Sequence, residues 1–163
     1  MPNILNNRHR LYQTKFSFGA TSGIITNLGL ITALDTMAHP RLSIIAGILV
    51  IALADNIADS LGIHIYQESE GLNEKEVWFS TLTNFLARIL VSLTFILLVV
   101  TLPINLAVYC SVTWGLVLLA ILSYTIAKAK GVNPFRTISE HIAIAIAVIT
   151  ASHFIGKWII GRF

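Results

Sequence analysis

Ile51-Ala52-Leu53-Ala54-Asp55-Asn56-Ile57-Ala58-Asp59-Ser60-Leu61-Gly62 places two acids inside an apolar run extending from Leu42 to Tyr66. A run of that length crosses the hydrocarbon core, which takes about 20 helical residues. The stretch therefore reads as a membrane-spanning helix with two carboxylates in it. A spacing of four puts Asp55 and Asp59 on one face, one turn apart. Asn56 and Ser60 repeat that spacing on the adjacent strip, and Gly62 lies beside the carboxylates with no side chain to block approach. A charge near mid-bilayer costs roughly 2.5–3.5 kcal/mol on insertion scales. Either the two aspartates have a partner, or they line a wet path.

The surrounding composition agrees with a membrane setting. Of 163 residues, 55% are hydrophobic and 12% are charged, against about 25% charged in a soluble domain; the mean hydropathy is +0.77. No polar stretch is long enough to build a separate soluble core. The formal charge of +3 reports orientation rather than affinity for nucleic acid, which is not an expected partner. The single cysteine, Cys110, excludes an intramolecular disulfide and reads as a small buried residue.

The apolar runs along the chain predict five spanning helices, at about 16–34, 42–66, 77–102, 104–127 and 137–160. The first is too long for a signal-peptide core and lacks a clear cleavage site. It carries Gly19-Ala-Thr-Ser-Gly23, a GxxxG that lets a second backbone approach. Thr21, Ser22, Thr26 and Asn27 give it more polarity than a lipid-facing helix needs, so one side is expected to face protein or water. Pro40 starts the second helix, residues 67–76 form an acidic connection, Pro103 reverses the chain, and residues 128–136 make a basic turn. Seven basic residues (Arg8, Arg10, Lys15, Lys75, Lys128, Lys130, Arg136) lie on one side and three (Arg41, Lys157, Arg162) on the other. The positive-inside rule then places the N-terminus in the cytoplasm and the C-terminus opposite.

At 1.5 Å per residue, Asp59 lies roughly 10 Å deep from the cytoplasmic side, with Asp55 and Arg88 both roughly 16 Å deep. The second and third helices are expected to be antiparallel neighbours, so Arg88 can meet Asp55 at one level. Arg88 also heads a polar strip with Thr81, Asn84 and Ser92. Two readings follow. In one, Arg88 neutralises an acid and the set fixes helix packing. In the other, two acids and one base leave a net negative site suited to a divalent cation or a proton relay. Oxygen ligands from Asp55, Asp59, Asn56 and Ser60 suit a hard ion. Glu68, Glu70 and Glu140 are candidates for an acidic cytoplasmic mouth that concentrates cations. Equally, they read as a solvated loop and a dipole-complementing first turn. His64 falls on the face of its helix opposite Asp55, and His153 reads as a hydrogen-bonded packing residue.

Enzyme signatures are missing: the chain has no Gly-rich phosphate loop, no HExxH and no Ser/His/Asp set in a recognisable context. An intramembrane aspartyl hydrolase draws its two acids from separate segments, whereas these lie on one helix.

The pattern resembles the vacuolar iron transporter family. The resemblance rests on Phe18-Gly-Ala-Thr-Ser22-Gly23-Ile-Ile-Thr26, on Ala46-Gly47 opening a helix that ends in Gly62 and runs into Gln67-Glu68-Ser69-Glu70, and on the C-terminal third. There, Ser123-Tyr-Thr-Ile-Ala-Lys-Ala-Lys-Gly leads to Arg136-Thr-Ile-Ser-Glu140 and an Ala-rich helix closing on Gly156. It implies a homodimer moving ferrous or manganous ions out of the cytoplasm in exchange for protons, along a path between subunits lined by the first two helices. Ser22 stands where the family has an aspartate, Val50 and Ala58 stand where it has a metal-facing glutamate and methionine, and the long glutamate-rich insert is reduced to about ten residues.

The expectation is thus an all-α, five-helix integral membrane protein, homodimeric and not an enzyme, carrying Fe²⁺ or Mn²⁺ as cargo with no resident cofactor. The metal would meet Asp55, Asp59, Asn56, Glu68, Glu70 and Glu140, with Arg88, Ser22 and Asn27 along the pathway. The alternatives are a non-transporting protein whose charges serve assembly, and a proton-coupled carrier of another cargo.

Overall fold

The structure, a computed structural model, describes residues 19–162, and every regular element among them is helical. The predicted helix start at Phe16 and the basic residues Arg8, Arg10 and Lys15 lie outside the described residues. Five helices follow in order: α1 (Gly19–Leu34), α2 (Pro40–Ser69), α3 (Glu74–Thr101), α4 (Ile104–Lys130) and α5 (Pro134–Arg162). α2 to α5 are each long and apolar enough to cross a bilayer. The chain is a multi-pass membrane protein.

The helices outrun the apolar sequences that announce them, because caps rather than hydropathy end a helix. The Asn73 side chain accepts from the Lys75 amide at the start of α3, with Glu74 and Glu76 in the first turn. Gly131 closes α4 in the left-handed conformation at φ 68°, after Lys128 and Lys130 in the last turn. Both charge placements suit the helix dipole. At the other end, the Arg41 guanidinium donates to the carbonyls of Val100 (3.1 Å) and Leu102 (2.7 Å). It satisfies acceptors that the end of α3 leaves open.

α1 is the axis of the bundle. None of its described residues is exposed, and Ile24, Leu28 and Ile31 enter a core completed by Ile44, Ile48, Phe95, Val99, Ala107, Leu119 and Ala145. The GxxxG faces α3: a Cβ on Gly19 would lie 2.5 Å from Asn84 Oδ1, and one on Gly23 3.5 Å from the Arg88 Cα. At the opposite end of α1, Gly156 of α5 packs so closely on the Ala33 carbonyl that no side chain fits. Ser22 and Asn27 of α1 bond side chains of α2 and α3, while the Thr26 and Thr32 hydroxyls donate to carbonyls of α1 itself. The outer surface is instead carpeted with leucine, isoleucine, valine and aromatic side chains, as a lipid-facing surface requires.

α2 is not a uniform α-helix. Ile51–Asp55 forms a π-helical turn, which periodicity did not reveal. The buried positions Ile44, Ile48, Asn56 and Ser60 are spaced in multiples of four, and a helix of 3.6 residues per turn drifts away from such a seam. A wider turn takes up part of that drift and holds the seam against its neighbours. π turns are often found at functional sites, and this one ends on Asp55.

Candidate functional site

Arg88 sits near the middle of α3, about 21 Å from Glu74 and 20 Å from Thr101 at helical rise. It is buried, with 3% of its side chain exposed. Its Nη2 donates to Asp55 Oδ2, its Nη1 to Asp59 Oδ2, and Nη1 also to Ser22 Oγ at 3.0 Å. The Ser22 hydroxyl in turn donates to Asp59 Oδ2 at 3.3 Å. Three helices therefore meet on one guanidinium: α1 through Ser22, α2 through both acids, and α3 through Arg88 itself. Gly23 lies against the arginine's stem, where even a Cβ would be in ordinary van der Waals contact with it.

The carboxylates differ from the arginine in exposure, at 47% for Asp55 and 40% for Asp59. Each spends Oδ2 on the guanidinium, which leaves Oδ1 with no hydrogen bond among the described residues. In its ionised form the triad carries one net negative charge, walled by protein on the arginine side and open on the other.

Beneath it a polar seam runs between α2 and α3. Asn84 Nδ2 donates to Ser60 Oγ (3.1 Å), Ser60 faces Asn56 Oδ1 (3.5 Å), and Asn56 Nδ2 donates to the Phe85 carbonyl (2.9 Å). His64 pairs with Thr81 Oγ1 (3.1 Å) and Gln67 Nε2 with Ser80 Oγ (2.8 Å). On the other side of Arg88, Asn27 Nδ2 donates to the Gly23 carbonyl (2.7 Å) and to Ser92 Oγ (3.0 Å). Asn27 Oδ1 and Asn84 Oδ1 are buried and accept no hydrogen bond among the described residues. Such oxygens are ready partners for water or a cation.

Several expected site residues sit elsewhere. Asn56 is fully buried and committed to the seam, so it is not a free ligand beside the acids. Glu140 pairs with Arg136 at 2.8 Å, and Glu68 lies 3.7 Å from His64. Glu70 is exposed in the turn after α2. Among the described residues, no three His, Cys, Asp or Glu side chains come close enough together to hold a metal ion. Asp55 and Asp59 share the Arg88 guanidinium, whereas Glu68, Glu70 and Glu140 stand at helix ends apart from them. His64 also departs from expectation. It is drawn into the α2–α3 seam and packs edge-on against Trp78, with ring centroids 4.6 Å apart.

Compared with protein-family models, with curated proteins and with solved structures, the chain finds no match in any of the three. The case for function rests on the triad and its surroundings.

Proposed function

We propose that this protein is a membrane carrier for cations, with Asp55 and Asp59 as the ion site and Arg88 as a built-in cation that occupies it between cargoes. The observation that carries this reading is the contrast in exposure between acids and base. A guanidinium held only for packing would be best served by buried, fully bonded carboxylates. Here each acid keeps an oxygen free on an open flank of α2. Two carboxylates one turn apart and net negative suit a divalent cation, which takes hard oxygen donors.

Ferrous and manganous ions are the cargo implied by the resemblance to vacuolar iron transporters, with protons as the exchanged ion and export from the cytoplasm as the direction. In that family an aspartate stands at the place of Ser22; here Ser22 touches Asp59, so an acid from α2 reaches the same neighbourhood. A half-exposed carboxylate facing lipid is costly, so the reading includes a second copy, or water held by one, against the open side of α2. The N-terminus lies in the cytoplasm in this reading.

Uptake of radiolabelled Mn²⁺ or Fe²⁺ into proteoliposomes tests it. Uptake above that of empty vesicles, lost in Asp55→Asn and in Asp59→Asn, is the expected result. Wild-type uptake equal to that of empty vesicles refutes it. One observation favours a second reading, in which the triad serves only assembly: Arg88 is almost wholly buried and joins three helices. That reading expects simultaneous apolar replacement of all three charges to leave every measurable property intact.

A further inference from the structure

At the end of α1 away from the triad, a cavity of about 430 Å³ opens between α1, α4 and α5. Ser22 and Asp35 are separated by about 20 Å at helical rise, so the two sites are distinct. The walls combine hydrocarbon from Val108, Val112 and Ile149 with Asp35, His153, Asn105, Tyr109 and the hydroxyls of Thr32 and Thr113. Asp35 and His153 make no side-chain hydrogen bond among the described residues. The Asp35 amide is bonded to the Ile31 carbonyl, which fixes the backbone but leaves the carboxylate uncommitted. The Thr32 hydroxyl is already spent on the Leu28 and Gly29 carbonyls.

We infer that this cavity binds an alkylammonium group, with Asp35 as counter-ion, His153 and Asn105 as acceptors and the Tyr109 ring along the mouth. One carboxylate without a side-chain hydrogen bond among the described residues, two nitrogen- and oxygen-bearing side chains and an aromatic ring beside hydrocarbon walls recognise a cation that carries its own apolar chain. A bare metal is a poorer fit, because among the described residues lining the cavity Asp35 and His153 are the only strong ligands and much of the remaining wall is hydrocarbon. The volume lies within the range of small-molecule sites. Two sources supply this chemistry: a free amine from the aqueous side, or the ethanolamine headgroup of a phospholipid, since the cavity sits where the helices end.

The test uses the full-length protein in detergent, with thermal unfolding followed as n-butylammonium chloride or n-butanol is added. Butylammonium is expected to stabilise saturably where butanol does not. Asp35→Asn should weaken the apparent affinity at least tenfold, and Tyr109→Leu about threefold, with Tyr109→Phe restoring it. Circular dichroism of each variant before titration shows that the helices are intact. Equal responses to butanol and butylammonium overturn the proposal, as does an unchanged response in Asp35→Asn. A larger Asp35-dependent stabilisation by Mn²⁺ than by butylammonium overturns it too. Native mass spectrometry separates the sources: retained phosphatidylethanolamine, lost in Asp35→Asn and not replaced by phosphatidylglycerol, assigns the lipid, whereas its absence beside a butylammonium response assigns the free amine. Failure here leaves the carrier reading untouched, because none of these residues belongs to the triad.

Discussion

Arg88 and Asp59 form an ion pair across the α2–α3 interface in which the arginine side chain is 3% exposed and the aspartate 40%. The base is enclosed by the bundle; the acid keeps one edge outside it. Such a pair is anchored on its cationic side and available on its anionic side. Asp55 repeats the arrangement one turn away, so the unit is a clamp of two acids on one buried base.

Removing the base alone should be costly. Arg88→Leu strands two carboxylates at mid-helix, and breaking a buried pair costs about 3–5 kcal/mol. The expected result is a matching loss in reversible unfolding in mixed micelles. Replacing Arg88, Asp55 and Asp59 together by leucine should recover most of that stability. If the carrier reading holds, the triple variant folds and does not transport.

The aspartates and the peripheral glutamates should separate in uptake assays. Asp55→Asn and Asp59→Asn are expected to bring metal uptake to the level of empty vesicles. Glu140→Gln and Glu68→Gln, which alter groups paired at the helix ends, should change it less than about threefold. Equal losses from all four would place the ion path elsewhere.

The close approach of α1 to α3 gives a third expectation. Gly19→Ala places a methyl 2.5 Å from Asn84 Oδ1 and 2.7 Å from the Asn84 carbonyl oxygen. Because the second of these is backbone, Asn84→Ala does not relieve it. A destabilisation of about 1–3 kcal/mol is expected, as for other overpacked sites. Gly62→Ala meets nothing within 4 Å and should be neutral or stabilising by up to about 1 kcal/mol. Thermal unfolding of the two variants side by side checks both.

Arg41 supplies a fourth. Its guanidinium bonds two carbonyls at the end of α3, and Arg41→Ala leaves them to the solvent. A loss of about 1.5–3 kcal/mol is expected, the range for a hydrogen bond to a charged group. Faster amide exchange at residues 97–102 than in the wild type would localise it.

Much of this was legible in the chain because membrane proteins write their constraints in length and charge. The four long apolar helices α2 to α5 and the reversal at Pro103 follow from hydropathy, which also counted 16–34 as a spanning helix; its described part, α1, is shorter than the other four. The meeting of Arg88 with Asp55 follows from depth, since both lie near the middle of antiparallel neighbours. The GxxxG at Gly19 and Gly23 was readable as a contact but not as a contact with Asn84 and Arg88. Glu68, Glu70 and Glu140 read equally as an acidic mouth or as solvated charges, because composition does not say which neighbour a charged end meets. The structure sets Arg136 beside Glu140 and His64 beside Glu68, each four residues away in the chain.

Hydropathy along the chain was enough to show apolar helices suited to a bilayer and the turns between them, although it read five spans where the described residues hold four long apolar helices and the shorter α1. Those properties depend on a one-dimensional solvent gradient that every residue meets in order. It took the packing of the helices to set α1 at the centre, to turn Asn56 inward while Asp55 and Asp59 stay half open, and to bring Asp35 and His153 to one cavity. These are matters of rotation about helix axes and of packing between residues far apart in the chain. They are governed by short-range contact and hydrogen-bond geometry, which hydropathy and spacing do not encode.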